Sequence, residues 1–96
     1  MYVHSRRCEM TDHPLRSWRR QRGLAQWRLA AAINVSPETV TAVERGLRRA
    51  DGVVARMAAV GLIDPAEAQR LREASAAWLA ELRRQAREEA LAICAG

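Results

Sequence analysis

At 96 residues the chain has room for one small domain and one further element, with a correspondingly small core. Its 16 basic side chains, all of them Arg, outnumber its 11 acidic ones and leave a net charge of +5, which points toward an acidic partner such as nucleic acid. No apolar run approaches a membrane span, the first residues lack a signal-peptide core, and Cys8 and Cys94 form no disulfide framework, so a cytoplasmic protein is expected.

The charge is unevenly placed. Residues 1–63 hold eleven Arg against five acids, whereas residues 64–96 hold five Arg against six. Residues 1–12 show no periodicity and read as a mobile arm, in which Arg6 and Arg7 could follow a DNA groove and Met10 is a second candidate start. His4, Cys8 and His13 invite a metal-site reading, but no paired ligand motif supports it, and neither metal nor cofactor is expected. Pro14 opens the first helix, with Asp12 or His13 as its cap. Leu15 and Trp18 face its core side, Arg16, Arg19, Arg20 and Arg22 make it basic, and Gly23 stops it.

From Gln26 to Gly46 the spacing predicts two short helices joined by a tight turn. Leu29, Ala30 and Ile33 form the buried stripe of the first. Asn34 and Val35 make the break, since Asn tolerates the left-handed backbone that ends many helices. Ser36 then caps a new helix and Pro37 takes its first position, where a missing N–H costs nothing. Val40 and Val43 face inward, leaving Pro37, Glu38, Thr41 and Ala42 outward, and Gly46 ends the segment. Such a pair has the form of a helix-turn-helix.

The pattern Arg19-x3-Gly23-Leu24-Ala25-Gln26-x2-Leu29-Ala30-x2-Ile33-Asn34-Val35-Ser36-x3-Val40-x2-Val43-Glu44-Arg45-Gly46 resembles the DNA-binding domain of the lambda repressor and Cro family, the XRE-type transcriptional regulators. The resemblance runs from about Leu15 to Ile63, roughly half the chain. It departs at Ala25, where the family usually has a Ser, Thr or Asn cap, and at Asn34, where Gly is commonest. It implies an all-α, four-helix bundle in which Arg19 pairs with Glu44. It also implies that Ser36, Pro37, Glu38, Thr41 and Ala42 meet base edges, and that Gln26, Arg45, Arg48 and Arg49 meet phosphates. Trp27, with no core role in the stripe, is expected beside the DNA backbone, where its indole N–H could donate to a phosphate.

Beyond Asp51, Val53, Val54, Met57 and Val60 predict a fourth buried helix that closes the bundle through Leu62 and Ile63. Asp64-Pro65-Ala66-Glu67 is a strong helix start, with Glu67 expected to reach back to the cap, and no breaker follows before Gly96. A helix from 65 to about 92 is expected, with Leu71, Ala74, Ser75, Trp78, Leu82, Ala86 and Ile93 on one face. A body this small is not expected to bury so long a stripe on its own, so Leu71, Ala74, Trp78, Leu82 and Ala86 are read as a dimer interface.

The division that follows is an arm over 1–12, a DNA-binding domain over 13–63 and a dimerisation helix over 64–96. The expected function is a homodimeric, sequence-specific regulator, a repressor on an inverted-repeat operator in double-stranded DNA. One alternative is an antitoxin whose C-terminal helix grips a toxin; another is an adaptor whose basic face binds an acidic protein. An enzyme is not expected, because both histidines lie in the arm or at the first cap and no nucleophile–base pair or phosphate-cradling Gly loop is visible.

Overall fold

A computed structural model describes residues 11–95; the expectations for His4, Arg6, Arg7, Cys8 and Met10 lie outside them. The described residues form five helices and no strand: α1 (Pro14–Gln21), α2 (Gln26–Ile33), α3 (Pro37–Glu44), α4 (Asp51–Ala59) and α5 (Pro65–Ala95). None of these helices is long and apolar enough to cross a membrane.

Local signals account for most helix boundaries. His13, not Asp12, caps α1: its Nδ1 accepts from the Leu15 N–H at 3.0 Å, while Asp12 pairs with Arg20 at 3.2 Å on the surface. Asn34 ends α2 in the left-handed region at φ 61°, and the Val35 N–H closes the turn on the Ala30 carbonyl at 3.0 Å. Ser36 caps α3 by accepting from the Thr39 N–H at 3.3 Å. The Glu67 N–H donates to Asp64 Oδ1 at 2.7 Å and starts α5. Glu67's own carboxylate does not return to the cap as expected. It turns to α1 and accepts from Trp18 Nε1 at 3.1 Å and from Arg22 at 3.3 Å, because burial of the indole leaves its N–H needing an acceptor.

The core is one cluster in which Leu15, Leu29, Ile33, Val40, Val43, Val54 and Met57 are fully buried. Two expected members are missing from it. α4 ends at Ala59 and the chain turns at Gly61, which carries Val60 and Leu62 out to 54% and 39% exposure and returns only Ile63 to the core.

α5 also departs from expectation. Its first half supplies the wall that closes the bundle: Ala68, Leu71 and Ser75 are buried, and Trp78, Leu79 and Leu82 are half-buried. Leu71 is therefore a core residue rather than part of a dimer contact. Trp78 and Leu82 pack on Gly46 at the end of α3, so closely that a Cβ there would lie 2.6 Å from Leu82 and 3.1 Å from Trp78. Trp78 also donates from its indole to the Thr11 carbonyl at 2.7 Å and meets the His13 ring edge-on. Ala74 is exposed on another flank, beside Trp18 and Glu67. From Arg83 onward only Gln85 is even half-buried, and Leu91 and Ile93 are 63% and 78% exposed.

Candidate nucleic-acid interface

α3 is fixed to the body through its last residue. Glu44 and Arg19 are both buried, and the carboxylate takes two parallel hydrogen bonds from the guanidinium: Oε2 from Arg19 Nε at 2.8 Å and Oε1 from Nη2 at 3.0 Å. This two-point geometry is the strong form of a carboxylate–Arg contact. Arg19 spends a further N–H on the Leu24 carbonyl at 2.9 Å, tying in the turn before α2. Burial alone pushes the Glu44 carboxyl up. Hydrogen bonds from Arg19 and Gln26, with the charges of Arg19 and Arg16, outweigh that and hold it below the usual carboxylate range.

Gln26, expected at a phosphate, has its side chain engaged inside the pair of helices. Its Nε2 donates to Glu44 Oε1 at 2.9 Å, and its Oε1 accepts from the Thr41 hydroxyl at 3.2 Å. Thr41, expected to face bases, is half-buried by the same contact. Ala42 is half-buried as well, whereas Ser36, Pro37 and Glu38 are fully on the surface. Glu38 has no hydrogen-bond or ion-pair partner among the described residues.

Cationic groups follow the other end of α3. Arg45, Arg48 and Arg49 are exposed just past α3, and Arg49 lies 3.5 Å from Asp51. Across the turn, Trp27 is 58% exposed at the start of α2 with the Arg28 guanidinium 4.8 Å from its ring centre. No side chain caps α2, because Ala25 has nothing to offer, so its first N–H groups remain as donors at the positive end of the helix. Of the expected residues, Ser36, Pro37 and Glu38 gather at the exposed start of α3 and Arg45, Arg48 and Arg49 in the basic turn after it. Trp27 stands on α2, and Gln26, Thr41 and Ala42 are partly covered.

Sequence reasoning missed three supports of this surface. They are the Trp18–Glu67–Arg22 contact, the Gln26 bridge between Glu44 and Thr41, and the seating of Trp78 and Leu82 on Gly46. Only the last left a signal, a Gly at a helix end opposite two large apolar residues of a later helix.

Two short helices at this turn, with an exposed polar face and Arg beyond it, define a helix-turn-helix DNA-binding domain. Residues 15–59 match the helix-turn-helix family and form a domain of the XRE/Cro type. Such a domain suggests a DNA-binding regulator, and its family is typically non-enzymatic. The match stops short of α5. Comparison of the chain with curated proteins and with solved structures gave no match.

Proposed function

We propose that the protein is a sequence-specific transcriptional regulator that represses by occupying an inverted-repeat operator as a homodimer. The observation that supports this best is α3 itself, clamped at Glu44 while Ser36, Pro37 and Glu38 stay exposed at its other end. In this reading α3 enters the major groove. Glu38 accepts from a cytosine amino group, Ser36 and Thr41 bond an edge or a phosphate, and Pro37 and Ala42 touch thymine methyls. No Arg, Asn or Gln stands on this face, so direct readout is thin and DNA shape supplies part of the specificity. Arg45, Arg48 and Arg49 hold one stretch of backbone. The indole of Trp27 and the backbone N–H of Gln26, at the uncapped start of α2, hold another.

In the same reading residues 13–63 bind DNA and residues 64–96 pair the copies. With Leu71 in the core and Trp78 and Leu82 partly used, the contact centres farther along α5, on Ala86, Ala90 and Ile93. A second reading is favoured by residues 90–95, Ala-Leu-Ala-Ile-Cys-Ala, which are apolar on every side of the helix and exposed. A helix end of that kind suits a partner that encloses it, as a toxin would in an antitoxin complex.

Light scattering combined with recovery of genomic DNA fragments tests these statements. The expected result is a dimer at micromolar concentration that retains fragments sharing an inverted repeat, with Ile93→Glu monomeric and weaker on DNA. A monomeric wild-type protein would refute the pairing. Binding indifferent to salt would refute the DNA reading, because phosphate contacts release counterions and weaken steeply as salt rises.

A further inference from the structure

A cleft of about 190 Å³ lies between the turn after α3 and the middle of α5, lined among others by Arg48, Arg49, Arg83, His13, Ser75 and Asp51. Three guanidiniums face one carboxylate there, and that carboxylate, Asp51, is already within 3.5 Å of Arg49. Arg48 and Arg83 have no hydrogen-bond or ion-pair partner among the described residues. The α4 N-terminus opens onto the same cleft through Ala50, which gives it no side-chain cap. His13 accepts at Nδ1, so its neutral ring carries its proton on Nε2 as a donor. Independently of all this, Ser75 is 4% exposed and its hydroxyl has no hydrogen-bond partner. A buried hydroxyl without a partner is costly, and a bound water or ion is one way to satisfy it.

We propose that this cleft is a binding site for a small free oxyanion, a phosphate or a compact molecule bearing one, held by Arg83 on one side and Arg48 and Arg49 on the other. Its volume falls below the roughly 300–1,000 Å³ of sites for drug-sized ligands, which limits the occupant to a small anion. The consequence for DNA rests on the proposed function. Arg48 and Arg49 are the cations that reading assigns to the DNA backbone, so an anion in the cleft competes with DNA for them and acts as an antagonist.

The test titrates inorganic phosphate into the full chain, with ionic strength held constant by chloride, and follows amide shifts. Saturation with a Kd on the order of 1 mM is expected. Arg83→Gln should raise that Kd about tenfold, the loss of one charge-assisted hydrogen bond, and Ser75→Ala should raise it less. On recovered operator fragments, exchanging chloride for phosphate should weaken the wild type at about tenfold lower phosphate than it weakens Arg83→Gln. A response that never saturates, or one that Arg83→Gln leaves unchanged, marks an adventitious ion only and overturns the site. If Arg83→Gln instead weakens DNA binding itself and lowers the salt slope by about one, the anion of the cleft is a DNA phosphate and the free-ligand proposal falls. Arg83-dependent phosphate binding by a chain that retains no DNA leaves the site standing and overturns the regulator reading.

Discussion

The body of the molecule and the projecting end of α5 each contain an Arg–Glu cluster, and the two differ in everything but chemistry. In the body, Arg19 and Glu44 have side chains only 11% and 3% exposed, and their contact joins α1 to α3. On α5, Arg84 bonds Glu81 and Glu88 within one helix, with all three side chains 42–61% exposed. The Glu81 carboxyl is pushed down to about 2 by its bonds to Arg84 and Gln85, yet it stands in water. A large shift in an exposed group does not make a strong tie, because solvent screens the pair and two long side chains must be ordered to form it. The buried pair joins two helices through residues 25 apart in sequence and leaves a costly orphan when cut.

Cutting each cluster is the most forceful way to break this contrast. Arg19→Ala or Glu44→Ala should destabilise the domain by about 3–5 kcal/mol in denaturant unfolding, with the double mutant costing less than the sum. Arg84→Ala should leave the midpoint unchanged. Strict additivity in the Arg19–Glu44 cycle would show that the two act separately.

Glycines sharpen the same difference between body and periphery. Gly46 and Gly23 both have positive φ, but a Cβ at Gly46 runs into Leu82 and Trp78 while one at Gly23 meets nothing within 4 Å. Gly23→Ala should cost only the backbone term, about 1–2 kcal/mol. Gly46→Ala adds overpacking of roughly 1–3 kcal/mol, because α5 must move off α3. Equal losses at the two sites would mean that α5 is not seated on the end of α3 in solution.

A smaller effect, of about 1 kcal/mol, is expected at the α1 cap. Burial lowers the His13 pKa below its ordinary 6.5, with Glu44 opposing in part, and the cap needs Nδ1 unprotonated. The unfolded chain therefore takes up the proton first. The stabilisation is complete above about pH 6.5 and is lost as pH falls through that value toward the lower folded pKa. Unfolding curves at a series of pH values should show this slope, and His13→Ala should remove it.

Much of this body was legible in sequence because its signals are local. Asn34, Ser36-Pro37 and Asp64-Pro65 each sit beside the turn or start they encode, and the family pattern carried the Arg19–Glu44 pair. The misreadings involve contacts that no local period specifies. The stripe through Leu71, Trp78 and Leu82 is apolar in sequence, but only the bundle's geometry decides that Gly46 and the Thr11 carbonyl cover part of it. Val60 fits the α4 period and yet leaves the core, because a turn one residue later redirects the chain. Thr41 reads as outward until Gln26, fifteen residues earlier, takes its hydroxyl.

In the proposed function the exposed start of α3 reads sequence while the basic turn behind it supplies affinity. Ranking single-base variants of a recovered operator against wild type, Glu38→Ala and Arg48→Ala tests it most directly. Glu38→Ala should relax preference at one cytosine per half-site by roughly 1–3 kcal/mol, leaving other positions alone. Arg48→Ala should weaken every variant alike and flatten the salt dependence. An unchanged ranking with Glu38→Ala, or a base-specific loss with Arg48→Ala, would contradict the assignment.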